Sequence, residues 1–334
     1  MRIAALDPYD DSDHLDWYRP QAAAEAFDWP DEPGWSNEEL AARNRDQSSG
    51  EVILAVAREE DGSVAGSVSL FLPRLDNTDV ADMWLAVVPE KRRRGTGGLL
   101  LAHAESEARR RGRTKLVAHT ESPLGREGSE GERFARAHGF EAALSEERRV
   151  LALPPAPGLL DRLERELGPQ ALGYEVATWF GACPEPLLKD LASLFSTIST
   201  DAPQGSLEKD EERWDAARVR REEKTAEEMG RELYCAGARH AGTGRLVAVT
   251  ELSVPRQRPA TCYQLDTVVD RAHRGHRLGA LVKAANLRQL LAAVPAAKRI
   301  LTWNAAANGP MIAVNELLGF ELAGKSVNWM KRLG

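Results

Sequence analysis

Hydrophobic and polar positions along the chain fall into one pattern that runs twice. A mostly polar stretch of helical character (11–46) is followed by two strand-like apolar runs, 52–58 and 63–72. A third run at 78–88 leads into a basic, glycine-containing turn, and an apolar helical stretch (97–111) starts at its glycines. Another strand (114–120), a short helix, a Gly-Phe pair and a last strand close the series. The second series repeats that order: a polar helical region at 184–230, strands at 233–240, 245–254 and 261–269, a helix at 278–293 and a strand at 298–304. Antiparallel strands followed by strand–helix–strand predict an α/β (α+β) fold with a mixed sheet and helices on both faces.

The two series are copies at the level of residues. GSVAGSVSLFLPR (62–74) aligns without a gap on GRLVAVTELSVPR (244–256), an offset of 182 positions. The same offset carries Arg92 onto Arg274, Gly97 onto Gly279 and Leu99-Leu100 onto Leu281-Val282. Near the ends, HGF (138–140) matches LGF (318–320) at an offset of 180. Such self-similarity marks a duplicated domain. The expected division is 1–153, a linker at 154–172, and 173–334. The linker opens on the Pro-rich ALPPAPG (152–158) and continues into an amphipathic LLDRLEREL.

Composition narrows the functional classes. The chain has 334 residues, a net charge of −7 and a mean hydropathy of −0.42. It contains no apolar run of about 18 residues, so no membrane span is expected. The start, MRIAALDPYDDSDHLDW, turns acidic too early for a signal peptide. Cys183, Cys235 and Cys262 lie far apart without metal-type spacing, so neither a disulfide framework nor a metal site is expected, and a cytoplasmic setting is. An acidic chain repels nucleic acid. The basic cluster KRRRGTGGLL (91–100) therefore points to a small anion, with no nucleic-acid and no membrane partner, in a monomer or homodimer.

The chemistry of that cluster follows from its frame. A helix N-terminus presents unpaired N–H groups and the positive end of its dipole, which suit a phosphate. Glycine admits the anion close to the backbone, and Arg92, Arg93 and Arg94 add counter-charge beside Gly95, Thr96, Gly97 and Gly98. GxxxxGK(S/T) is absent, and GTGGLL lacks the third glycine of GxGxxG. A pyrophosphate is the ligand these residues suit.

The run R92-R-R-G95-T-G97 resembles the acyl-CoA signature Arg/Gln-x-x-Gly-x-Gly/Ala of the GNAT acetyltransferase superfamily. VVP (87–89) is similar to the strand end whose backbone holds pantetheine in that family, with Val87 and Val88 in that place. The second copy resembles the family more fully, through DTVVDRAHRGHRLGALVKAANL (266–287) and TWNAAANGPMIAVNELLGF (302–320). The whole chain looks like a tandem GNAT protein, similar in architecture to mycothiol synthase and related actinobacterial enzymes. That resemblance implies acetyl-CoA as cofactor, bound in the second copy by Val268, Val269, Arg274, Gly275, His276, Arg277, Leu278, Gly279 and Ala280. Arg277 replaces the first glycine of the signature, which puts the grip of this copy in question.

Resemblance also supplies catalytic candidates. Asn308 stands where the family often has a cofactor-contacting Asn, and Asn304 ends the preceding strand; the first copy offers Glu121 and Gly125 instead. At the usual position of the general-acid Tyr stand Ala135 and Asn315. The base in the family is often a strand carboxylate. Glu251 occupies a matching position in the second copy and Ser69 in the first, with solvent exposure the competing reading for Glu251. Gln264 and Asp266 sit two residues apart, on one face of a regular strand. The expectation is a catalytic second copy using Glu251, Asp266 and Asn315, and a first copy that binds cofactor or supports structure. His119 is a base if those roles are reversed. Trp17, Tyr18, Phe27, Trp29, Trp35 and Trp214, the last placed on a helix, are read mainly as core anchors. The expected reaction moves acetyl to a small-molecule amine by direct transfer in a ternary complex; the alternative is a silent acyl-CoA sensor.

Overall fold

The paired apolar runs fold as antiparallel strands, β2 (Gly50–Arg58) on β3 (Val64–Pro73) and β8 (Arg231–His240) on β9 (Leu246–Pro255). The computed structural model describes residues 1–30, 34–126 and 128–334. Among them the chain forms two units, the first made of 1–145, 205–208 and 325–334, the second of 146–204 and 209–324.

In the first unit, β1 (Arg2–Leu6) pairs with β2, β3 pairs with β4 (Val80–Val87), and β4 runs parallel to β5 (Lys115–Pro123). Helices α1 (Asp11–Asp28) and α2 (Asn37–Arg45) cover one face, where Trp17, Leu40, Leu54 and Val56 form a core. The ends of these helices are specified locally. Asp10 accepts from the amides of Ser12 and Asp13, and Ser36 and Glu39 form a reciprocal capping box. On the other face α3 (Thr96–Arg110) buries Leu100, Leu101, Ala104 and Ala108, its 3.6-residue stripe, with α4 (Glu130–Ala137) beside it.

The second unit repeats this with β7 (Tyr174–Phe180), α6 (Glu185–Asp201), α7 (Ala216–Glu228), β10 (Thr261–Val269), α8 (Leu278–Ala293), β11 (Arg299–Ala305) and α9 (Gly309–Leu317). The linker's amphipathic segment is α5 (Leu159–Leu167), which buries Leu159, Leu163 and Leu167. Trp214 precedes α7 rather than lying on a helix, because Asp215 caps α7 and sets its start one residue later. Two strands, β1 and β7, escape the sequence pattern altogether. Each is short and sits at the end of its sheet.

The expected cut at 153 does not coincide with the division into units, and the closing strands are the reason. β6 (Glu141–Ala152) begins in the first unit, but its later half pairs with β11 of the second, from Glu146 opposite Ala305 to Ala152 opposite Arg299. β12 (Glu321–Arg332) makes the reverse passage. Its Trp329 is 0% exposed in the core of the first unit and donates from Nε1 to Thr120 Oγ1 at 2.9 Å. Each repeat thus completes the sheet of the other unit with its last strand.

Among the described residues no helix is long and apolar enough to cross a membrane, and no group of three His, Cys, Asp or Glu residues is placed to hold a metal ion. All three cysteines are free and buried.

Strand exchange makes the sequence repeat a poor unit of folding. Removing a fully buried Trp costs about 3–5 kcal/mol, a large share of the 5–15 kcal/mol typical of a domain. A fragment of residues 1–153, which lacks Trp329 and Leu333, is expected to show no cooperative thermal transition alone and to gain one when a peptide of residues 321–334 is added, followed by circular dichroism.

Candidate active site

Each unit has a glycine turn at the end of its third long strand, and the two turns share one backbone. Both begin with a single 3-10 turn, at Pro89–Lys91 and Arg271–His273. Both then place two residues in the left-handed region: Arg93 (φ 64°) and Gly95 (φ 85°) in the first unit, Gly275 (φ 87°) and Arg277 (φ 58°) in the second. The glycine that Arg277 displaces reappears two positions earlier, so the turn is retained. A side chain at Gly95 or Gly275 would meet no protein atom within 4 Å, so the space in front of each turn is open. That space faces the first N–H groups of α3 or α8, an arrangement suited to a pyrophosphate.

The first arginine of each signature is a strut. Arg92 donates from Nε to Val87 O at 3.3 Å, and Arg274 does the same to Val269 O at 3.2 Å. Their other nitrogens bind the last residue of α1 or α6: Arg92 to Asp28 at 3.3 Å, and Arg274 to Asp201. Arg92 also pairs with Glu130 at 2.8 Å and lies over the Phe27 ring. These two arginines hold the turn against the strand, while Arg93, Arg94 and the exposed His276 remain at the mouth. Arg277 donates to Gln170 Oε1 at 3.2 Å. Thr96, Leu278 and Ala280 are buried, which leaves their backbone to meet a ligand, and Gly97 is required by packing, since a Cβ there would lie 2.9 Å from the Phe134 ring.

Beyond the turn the parallel strands part. β4 and β5 stay paired only as far as Met83 opposite Ala118, and β10 and β11 only as far as Tyr263 opposite Leu301. The cleft that opens leads from the glycine turn through the sheet. At this point the units differ. β4 pairs with β3 in unbroken register from Gly66–Val87 to Phe71–Asp82. β10 carries a bulge against β9, where Leu265 and Asp266 together oppose Glu251 between the pairs Gln264–Leu252 and Thr267–Thr250. A bulge leaves backbone groups without ladder partners and re-aims side chains.

The bulge breaks the alternation that would put Gln264 and Asp266 on one face. Gln264 is buried and braces the bulge, donating from Nε2 to Glu251 O at 2.6 Å, Thr250 Oγ1 at 3.0 Å and Leu265 O at 3.2 Å. It lines no cavity. Asp266 instead lies past the last pair of β10 and β11 and is exposed to solvent, although protein surrounds it; desolvation and then the nearby Glu212 push its carboxyl above the ordinary range. Glu251, half-buried, faces the same space, with the Cys235 thiol 3.7 Å from its Oε1. Burial first, then Asp266, raises its pKa to about 8.

Asn315 does not reach the cleft. It is 0% exposed and donates from Nδ2 to Asn304 Oδ1 at 2.6 Å, so it orients Asn304 rather than touching a substrate. Asn308 caps α9, accepting from Met311 N at 3.3 Å. In the first unit Trp84 holds the repeat position of Asp266, Ser69 that of Glu251, and Ala135 is buried. His119 and Trp84 follow the last paired residues of β5 and β4, their rings 5.6 Å apart.

Comparison with known proteins fits this geometry. The family model described as Acetyltransferase (GNAT) family matches residues 13–140. A solved structure described as a tandem GNAT protein from the clavulanic acid biosynthesis pathway, without AcCoA, is 30% identical, with a TM-score of 0.81, covering 100% of this chain and 98% of that one. The chain belongs to the GNAT acetyltransferase family. It is an acyltransferase built from two GNAT domains, a family that generally uses acyl-CoA. The GNAT fold is also shared with a GCN5-related N-acetyltransferase from Sphaerobacter thermophilus (16% identity, TM-score 0.65, 99% and 96% coverage) and an acetyltransferase from Pyrococcus horikoshii (14%, 0.57, 99% and 89%). Among curated proteins none matches. The family model matches the first repeat, whereas the bulge and its carboxylates lie in the second.

The glycine shift within the turn has a measurable consequence. A non-glycine residue in the left-handed region costs roughly 1–2 kcal/mol. Arg277→Gly is expected to raise the thermal midpoint and Gly275→Val to lower it, in differential scanning calorimetry.

Proposed function

We propose that the second unit transfers an acetyl group from acetyl-CoA to the amine of a small cationic metabolite, in a ternary complex. The first unit, on this reading, binds CoA without catalysing. The observation that carries the assignment is the bulge at Leu265–Asp266: it is present in β10 and absent from β4, and Glu251 faces it.

Acetyl transfer needs a free amine, a polarised thioester carbonyl and a proton for the departing sulfur. The open glycine turn, the free N–H groups of α8 and the exposed His276 fit the pyrophosphate, and the parted strands β10 and β11 fit the pantetheine arm. Bound acetyl-CoA supplies the thioester whose C–S bond breaks as the new C–N bond forms. An unpaired N–H of the bulge donates to the carbonyl oxygen. Asp266 and Glu212, acidic and close together, attract the incoming ammonium group. The ammonium group gives one proton to Glu251, directly or through water, a base with a pKa of about 8 being close in strength to a metabolite amine, and the second proton lost from nitrogen as the amide forms leaves to solvent. That same carboxyl, once protonated, is the nearest acid identified in the cleft and returns the proton to the leaving thiolate. Asn304, oriented by Asn315, lines the far strand.

Glu251 must be ionised to accept a proton, so turnover rises with pH through about 8 and then levels. In a thiol-release assay with acetyl-CoA and a panel of polyamines, amino sugars and amino acids, Glu251→Gln is expected to lower the plateau by about 10²-fold or more and to remove that limb. Gly279→Glu, whose Cβ meets only Val269 at 3.7 Å, places a carboxylate at the phosphate turn of the second unit and abolishes turnover. Gly98→Glu does the same to the first unit and leaves turnover in place. The reverse outcome for the two glycine variants overturns the assignment.

A further inference from the structure

In the first unit the space that corresponds to the acceptor side of the second contains no carboxylate pair. Ser69 and Trp84 stand at the repeat positions of Glu251 and Asp266. What surrounds the opening is a set of rings from four elements. Trp84 on β4 and His119 on β5 meet edge to face at 5.6 Å, immediately past the last paired residues Met83 and Ala118. Trp35, in the segment before α2, meets Trp84 edge to face at 6.2 Å. The Arg43 guanidinium of α2 lies 5.0 Å from the Trp84 ring and 5.3 Å from that of Trp35. Tyr18 of α1 donates its hydroxyl to Trp35 O at 3.1 Å, which ties the Trp35 segment to the helix layer.

Three properties distinguish this cleft. It is open: the His119 side chain is exposed to solvent although protein surrounds it. It carries the positive charge of Arg43. Burial first and Arg43 second depress the His119 pKa, which favours its neutral form. And it lies at the far end of the path from an intact glycine turn, where the acyl end of a bound CoA thioester arrives. Flat π surfaces at right angles accept a flat ring by stacking on one and edge contact with the other. An acetyl group offers too little surface to use them.

We infer that the first unit is a receptor for CoA thioesters of aromatic acids, whose acyl ring lies against the partly exposed surface formed by Trp84, His119 and Trp35. This rests on the reading that the first unit binds CoA, and goes beyond it in naming the acyl group. Ring contacts of this kind, together with the buried area, correspond to about tenfold or more in affinity over acetyl-CoA.

The test is calorimetry and tryptophan fluorescence on the full chain carrying Gly279→Glu, which leaves the first unit as the CoA site. Benzoyl-CoA, acetyl-CoA, CoA and free benzoate are the probes. The expected result is a benzoyl-CoA affinity about tenfold or more above that of acetyl-CoA, with quenched tryptophan emission and no binding of benzoate. Trp84→Ala, and separately the exposed His119→Ala, should bring the benzoyl-CoA affinity down to that of acetyl-CoA while CoA itself binds as before. Equal affinities for the two thioesters, or a preference that survives both substitutions, overturns the aromatic assignment alone. Benzoate binding that depends on Trp84 would falsify the thioester in favour of a free acid. Failure of every CoA species to bind overturns the CoA reading of the first unit as well.

Discussion

Everything functional in this chain depends on parallel strands that stop pairing. β4 parts from β5 after Met83, and β10 parts from β11 after Tyr263. A parallel pair needs a crossover helix, and that helix starts at the end of the strand where the sheet opens. The N–H groups of α3 and α8 are thereby placed at one end of a cleft through the sheet. An anionic cofactor can be held by its phosphates while its reactive end reaches the opposite face, and what lines that face decides what the cleft can do.

The two units keep the constraint and change the lining. Their glycine turns share the same pair of left-handed residues and the same arginine strut, although glycine and arginine have traded places within the turn. The second unit then adds a bulge, a buried glutamine that satisfies its carbonyls, and two carboxylates whose ionisation is held back by burial and by a neighbouring carboxylate, Asp266 for Glu251 and Glu212 for Asp266. The first unit keeps a regular strand, puts Ser69 and Trp84 at the repeat positions of those two carboxylates, and sets the His119 ring beside Trp84. On the proposed reading, one backbone presents an acid–base site in one copy and a π-lined site in the other.

Much of this was legible in the chain itself. The fold, the duplication and the phosphate turns follow from periodicity and from a 182-residue offset, because both are local properties of sequence. The strand exchange was not, since β6 and β12 look like closing strands of their own repeats and only partner choice reveals the trade. Glu251 was identifiable as an unusual carboxylate within a β run, but its raised pKa depends on enclosure and on Asp266 across a bulge that no spacing announces. Gln264 and Asn315 were misplaced for the same reason: a bulge resets which residues face the cleft, and a buried amide on a helix gives no sign of pointing at another side chain. The ring cluster around Trp84 joins residues far apart in sequence, so its members read individually as core.

The most direct test of the account is a crystal structure of the chain with acetyl-CoA and a non-reactive analogue of an amine acceptor. The account predicts the thioester carbonyl oxygen of the molecule in the second unit at about 2.7–3.1 Å from a backbone N–H within Leu265–Thr267, with the Glu251 carboxylate directed at the acceptor nitrogen. A thioester lying against β4 in the first unit, with the acceptor beside it and the bulge of β10 facing neither, would contradict it.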